Sequence, residues 1–437
     1  VDWDGTSKAL ARNFSVSNKT ELAPMLGPLD PKYPTLDPIN QTNVENFIKW
    51  VLGDNIWESA EDLRKGGYKL GDIYHSGLVE VGPSKKIENR EKIVYVQAND
   101  GMLHAFYVEG NNGGQEKWAF IPPNVLAEGR MVGMKQKISK NDVTWDGGNT
   151  SYPRYLLDGP LMAEDVLIDG EYRTVLVGLL GYAGAGLYAM DVTNPDDPQF
   201  MWAVENAIYD RDVSKVNNND NNNDNNNDNK LKLGLLSHGD TYYWIRDGDS
   251  VVRNMRSKNN DVSEKNKVPE DYQLLSFTVS TPAVGHVKIS GEMQGVVIMG
   301  NGSPIYSTES EADNGVYVIN IEDGKLLNFF NVGKQKHIVT PVAILGDQST
   351  RLIDYFYVGD SNGVIYQGNL TSNSSSRWTI SQIFNLTSAE GVSYIIEAAY
   401  IGNVKWLFVV MGDYDPLMKD NPNDFVVAIK IQKNKQG

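Results

Sequence analysis

Between residues 93 and 432 the chain repeats one layout five times. Each unit has an apolar strand-like run, a turn of Gly, Asn or Asp, a second aliphatic and aromatic run, and often a bulky aromatic. The first reads Ile93-Val94-Tyr95-Val96, turns at Asn99-Asp100-Gly101, returns as Met102-Leu103-His104-Ala105-Phe106 and closes near Trp118. The second runs from Thr174 to Gly178, through a glycine turn to Gly186, then Leu187 to Val192 and Trp202. The third is Gly295 to Gly300, Val316 to Ile321 and Phe329-Phe330. The fourth is Tyr355 to Gly359, Asp360-Ser361-Asn362-Gly363, Val364 to Tyr366 and Trp378; the fifth is Trp406 to Met411 and Phe425 to Ile431. Asp-Gly and Asn-Gly turns between strand-like runs are strong hairpin signals. A repeated antiparallel unit of this size points to an all-β fold, a modified β-propeller of about seven irregular blades. The alternative is a β-sandwich with an appendage.

The rest of the chain decorates that repeat. Pro24, Pro28, Pro31, Pro34 and Pro38 make the first forty residues read as an irregular arm over the surface. Between Asn43 and Arg64 the period changes, and Val44, Phe47, Ile48, Val51 and Leu52 fall on one face of a helix that Gly66-Gly67 ends. The units are unevenly spaced, so polar insertions are expected at about 205–235 and 238–272. The expected organisation is residues 1–69 as arm and helix packed on a propeller of residues 70–437. The chain opens at Val1 without Met or a signal-peptide pattern and is expected to be a fragment of a longer protein.

Composition removes several functions. A net charge of −16 argues against duplex nucleic acid and anionic lipid as partners, because both need basic surface. The absence of cysteine excludes disulfides, thiolate metal sites and a cysteine nucleophile. No apolar run is long enough to span a bilayer as a helix.

One tract points to a metal. Residues 217–229 are all Asn or Asp, so every side chain carries an oxygen. Calcium takes six to eight such oxygens, and loops of the EF-hand type draw them from alternate positions. The register starting at Asp220 supplies Asp220, Asn222, Asp224, Asn226 and Asp228, with Asp at positions 1, 5 and 9. Asn225 stands where glycine is usual and tolerates a left-handed backbone. Leu231 replaces the usual closing Glu, so a shorter loop closed by Asp228 is expected, with Ca2+ as its ion. The competing reading is a flexible low-complexity linker.

Other clusters are weaker. Asp413, Asp415, Asp420 and Asp424, and Asp347 with Asp354, lack the alternation and read as solvated turns. Arg246-Asp247-Gly248-Asp249 only permutes the integrin-binding tripeptide. His75, His104, His238, His286 and His337 are scattered, with no H-E-x-x-H pair, and no G-x-S-x-G elbow occurs. The glycines from Gly178 to Gly186 are not followed by Lys-Ser/Thr and read as backbone crowding and positive φ at a turn. His75 and His104 are expected to be core or turn histidines satisfied by hydrogen bonds. No catalytic residues and no enzyme activity are expected.

Several of these segments together resemble one family. Leu70-Gly71-Asp72-Ile73-Tyr74-His75-Ser76 resembles the L-G-D-I-x-H-S segment of the PilC/PilY type IV pilus adhesins, of the Neisseria and Kingella PilC kind. Residues Val94 to Phe106 resemble that family's V-Y-V-G-A-N-D-G-M-L-H-A-F, with Gln97 in place of its first glycine. Trp118-Ala119-Phe120-Ile121-Pro122-Pro123, Thr174 to Gly178 with Tyr188 to Thr193, Gly300-Asn301-Gly302 and Val358-Gly359-Asp360 follow in order. The resemblance covers about 70–432. It implies a C-terminal β-propeller of a surface protein, at the pilus tip or outer membrane. Such a protein promotes type IV pilus biogenesis against retraction and supports twitching motility, adherence to host cells and virulence. Its implied partners are pilin, minor pilins and a host surface or matrix, without nucleic acid or small-molecule substrate. The family often binds calcium before the position of Tyr355, but here Asp347 to Asp354 lacks the alternating oxygens, which leaves the 220–228 loop. The alternatives are a quinone-dependent dehydrogenase-like propeller enzyme and a scaffold propeller independent of calcium.

Overall fold

The computed structural model describes residues 14–22, 41–52, 70–126, 156–206, 241–247, 250–255, 272, 274–303, 313–385, 392–402, 404–412 and 425–431. They are mostly β, and they hold five blade-like units. The first blade is β1 (Val79–Val81), β2 (Ile93–Ala98), β3 (Met102–Tyr107) and β4 (Glu116–Phe120), paired in sequence order. The second is β5 (Leu161–Ile168), β6 (Glu171–Leu179), β7 (Gly186–Asp191) and β8 (Gln199–Asn206), extended by β9 (Thr241–Asp247) and β10 (Ser250–Met255). The third is β11 (Ala283–Ile289), β12 (Glu292–Gly300), β13 (Asp313–Asn320) and β14 (Leu326–Lys334). The fourth is β15 (Ala343–Asp347), β16 (Leu352–Gly359), β17 (Val364–Asn369) and β18 (Thr379–Asn385); β19 (Val392–Ile401), β20 (Val404–Gly412) and β21 (Phe425–Ile431) form the fifth. Successive blades adjoin near the axis: β1 meets β5, β5 meets β11, β11 meets β16, the second strand of the fourth blade, and β15 meets β19. This is the β-propeller arrangement.

The repeated runs become blades because both faces of the inner strands of the second and third blades are buried. Along β6, Val175, Val177 and Leu179 pack towards the third blade while Leu176 packs towards the first. Along β13, Tyr317 and Ile319 face the second blade and Val316 and Val318 the fourth. Alternate residues pointing to opposite sheets turn strict alternation into near-continuous apolar runs. Each core cluster therefore lies between two blades, and no blade has a core of its own.

The sequence reading found the second and third strands of each blade together with the closing aromatic, which sits on or beside the fourth. It did not find the first strands β5, β11, β15 and β19, where apolar residues are interrupted by Glu164, His286 and Glu397. The 238–272 insertion is corrected in part: β9 and β10 lie in it and pair Trp202↔Ile245 onto the second blade. The first insertion begins only after Asn206, where β8 ends. In the amino-terminal segment Val16–Leu22 is a short helical turn with Phe14 and Leu22 buried, not irregular chain. The helix α1 spans Gln41–Val51 and buries Val44, Phe47, Ile48 and Val51 in the same cluster as the first blade. Leu52 lies past its end and is half exposed, whereas Trp50 is buried. Gly66-Gly67 falls outside the described residues.

Candidate functional site

The two ends of the propeller differ in how the chain turns. At one end the first and second strands of the second and third blades meet in tight turns. Asp169-Gly170 (φ 53° and 82°) and Ser290-Gly291 (φ 55° and 89°) place both central residues in the left-handed region. That is the two-residue hairpin whose twist matches the strands. At the other end lie the second-to-third strand turns and the long connections between blades. Asn206 at the end of β8 donates its N–H to Ala185 O at 2.8 Å, which sets the end of β8 beside the Gly181 turn. The segment entering the third blade crosses the same place, with a bridge between Gly181 and Thr278. Long connections on a rigid frame are where binding residues concentrate, so this end is the candidate functional face.

Its turns are built from buried polar side chains. Asp100 accepts from Met102 N at 3.1 Å and from Gly71 N at 2.8 Å. His104 is bracketed, Nε2 to Asp100 Oδ1 at 3.2 Å and Nδ1 to Glu116 Oε1 at 2.5 Å. Burial pulls its pKa down, but the bonds to Asp100 and Glu116 outweigh that and raise it to about 9. His75 Nδ1 meets Asp158 Oδ2 at 2.5 Å, and Asp158 is 1% exposed. Burial pushes the Asp158 carboxyl up against the opposing pull of His75. The His75 ring lies between Tyr74 and Tyr182, at 4.1 Å and 5.0 Å between centroids. Both histidines are thus satisfied by hydrogen bonds, as the sequence indicated, although His75 is half exposed and not core.

Gln97 links the first two blades. Its Nε2 donates to Gly159 O at 2.7 Å and Leu179 O at 2.9 Å, and its Oε1 accepts from Tyr188 OH at 2.8 Å. A second link is Arg90, whose guanidinium reaches Asp165 at 2.8 Å, Gly82 O and Thr174. Burial would raise the Asp165 carboxyl, but bonds from Ser84, Thr174 and Arg90 hold it below its usual range. The glycine turn is crowded as expected: a Cβ on Gly178 would sit 2.4 Å from the Tyr188 ring, and Gly181 has φ 63°. Asp360 accepts from Asn362 N, Val364 N and Tyr366 OH, each at 2.9 Å.

Asp220, Asn222, Asp224, Asn226 and Asp228, the residues expected to hold calcium, lie outside the described residues, as do Asp413, Asp415, Asp420, Asp424 and His238. In the sequence the first five fall between β8 and β9, which pair with each other. Asp347 accepts from the Ser349 hydroxyl at 2.7 Å and backbone N–H at 2.9 Å, a solvated turn. Those bonds hold its carboxyl low. Among the described residues no group of three or more His, Asp or Glu converges on a metal position. Sequence reasoning missed Gln97, Arg90 and Asp158. Only the departure of Gln97 from the family motif could have signalled one of them.

Residues 70–241 match the family model described as the PilY1 beta-propeller domain. The chain is 25% identical over 393 residues to the type IV pilus biogenesis factor PilY1 of Pseudomonas aeruginosa, covering 84% of this chain and 26% of that protein. A PilY1 homolog of Xylella fastidiosa is 39% identical over 204 residues, 37% of this chain and 15% of the relative. The crystal structure of the P. aeruginosa PilY1 C-terminal domain aligns with a TM-score of 0.47 at 16% identity, over 80% of this chain and 58% of that one. The chain thus spans about a quarter or less of the length of these two relatives.

Proposed function

From the match of residues 70–241 to the family model described as the PilY1 beta-propeller domain, we propose that this chain is the propeller of a type IV pilus biogenesis factor. The family match carries this reading, and relatives named as pilus biogenesis factors support it. The propeller presents its loop-rich face to pilin and minor pilins at the bacterial surface or pilus tip. There it favours pilus extension over retraction, and so supports motility and adherence to a host surface. It acts by binding and catalyses no reaction. Residues 1–69 form an arm on the propeller of 70–437.

In the same reading the 207–240 connection holds a calcium ion. Asp220, Asn222, Asp224, Asn226 and Asp228 offer the all-oxygen donor set a hard cation requires. Three carboxylates brought together repel unless a cation lies between them. Magnesium suits such a loop less, since it demands octahedral geometry and keeps its water. The test is a pull-down of purified pilin and minor pilins by this chain, in calcium and in chelator. Capture in calcium that weakens in chelator is the expected result. No capture in either condition overturns the proposal.

A further inference from the structure

His286 stands where three blades meet. It lies on β11 of the third blade and is 1% exposed. Its Nε2 accepts the backbone N–H of Leu167, on β5 of the second blade, at 2.8 Å. Its Nδ1 lies 2.8 Å from the carbonyl oxygen of Thr350, in the turn between β15 and β16 of the fourth blade. Its own N–H donates to Arg351 O at 2.8 Å, beside the single parallel bridge His286↔Leu352 that joins the two sheets. A backbone N–H only donates and a carbonyl only accepts. The two ring contacts therefore fix one neutral tautomer, with the proton on Nδ1 and a lone pair on Nε2. Among the described strands β5 pairs only with β6, so the imidazole serves Leu167 where a neighbouring strand otherwise would.

We propose that His286 is a proton-operated latch: neutral, it ties the second, third and fourth blades together, and its protonation in mildly acidic surroundings releases the seam between the second and third. A second ring proton would have to sit on Nε2, directed at a donor that cannot turn round. The bond to Leu167 would be lost, and a charge would be left in a buried place. The charged groups on the packed elements offer little relief. Lys86, from the first blade's loop, and Arg351, from the turn, are cationic. On β5, Glu164 is already engaged by Arg351 and Asp165 by Arg90. The hairpin of β11 and β12 carries Lys288 and Glu292, and β16 carries Asp354. Burial first, then the Lys86 and Arg351 charges, hold the imidazole below its ordinary range against the upward pull of the Thr350 carbonyl.

The direction follows from linkage. The unfolded imidazole takes its proton near pH 6.5 and the folded one only lower. Stability is therefore unaffected above about pH 6.5 and falls beneath it by up to about tenfold in the folding equilibrium per pH unit, until the folded pKa is reached. The experiment is urea unfolding of the full chain at pH 7.5 and 5.5, for the wild type and His286→Gln. Glutamine keeps one acceptor and one donor but does not titrate. His104 and His337 titrate in both proteins, so the difference between them isolates His286. The expected result is that the wild type loses up to about tenfold more of its folding equilibrium on acidification than the variant. Equal losses overturn the proposal. Should the variant not fold, hydrogen exchange at the Leu167 amide of the wild type, corrected for intrinsic rate, decides. Protection falling between pH 7.5 and 5.5 supports the latch, and unchanged protection overturns it.

Discussion

Asp100 and Asp360 occupy the same place in two different blades. Each heads the turn from second to third strand, and each accepts the backbone N–H two residues on, Met102 at 3.1 Å and Asn362 at 2.9 Å. Each also holds a side chain from the returning strand, His104 in one blade and Tyr366 in the other. Both are buried, so the turn is closed by a desolvated carboxylate whose oxygens are filled by local donors. Asp-Gly and Asn-Gly pairs mark such turns in a sequence because the glycine takes a left-handed backbone, as Gly101 (φ 86°) after Asp100 and Gly363 (φ 77°) after Asn362 do.

Asp360→Ala removes the acceptor of three donors at once and leaves Asn362 N, Val364 N and Tyr366 OH unpaired. The expected loss is about 3 kcal/mol of stability. It is read as a lower urea midpoint with unchanged slope; a loss within 0.5 kcal/mol, about the scatter of surface substitutions, contradicts it.

Gln97→Ala strands Tyr188 OH and the Gly159 and Leu179 carbonyls between the first two blades. About 2–3 kcal/mol should be lost, more than for truncating an exposed Gln. Differential scanning calorimetry measures it. A midpoint equal to that of the wild type would show that the link contributes nothing.

These sites show what the sequence could and could not disclose. The second and third strands were legible because neighbouring blades bury both their faces, which leaves apolar runs between glycine turns. The first strands were not, because they mix apolar with charged and polar residues: Glu164 and His286 engage groups in other blades, a relation with no sequence period. Trp118, Trp202 and Trp378 were legible as closing residues, since each donates its indole N–H to a carbonyl, Pro195, Ile321 and Ser372 respectively. The candidate site was legible as composition only. An Asn/Asp tract states its donor atoms, but the pairing of the strands that flank it, β8 with β9, has no signal in the sequence. Arg90 with Asp165, and His75 with Asp158, join residues far apart in sequence, and no local pattern announces them.

His104 gives a pH dependence opposite to that of His286. Its folded pKa of about 9 lies above the unfolded value near 6.5. The stability it contributes is fully present below about pH 6.5 and is lost as pH rises through about 9. Chemical denaturation between pH 6 and 10 should show this decline in the wild type. In His104→Gln the slope should be flatter; an identical slope in both proteins removes His104 as the cause.

Asp220→Ala combined with Asp224→Ala removes two of the three carboxylates proposed for calcium. Isothermal titration should show binding heat in the wild type and none in the double variant. In chelator the two should unfold at the same temperature, because neither residue is among those that form the described cores between blades. Unchanged calcium affinity would mark the tract as a linker.

The central claim, that this propeller serves type IV pilus biogenesis, is tested most directly by counting surface pili on the source bacterium. The strain to use has residues 70–437 deleted from the chromosomal gene, alongside the same strain with the segment restored. Fewer pili in the deletion, recovered on restoration, is the expected result. Pilus numbers equal to those of the parent strain would contradict the account.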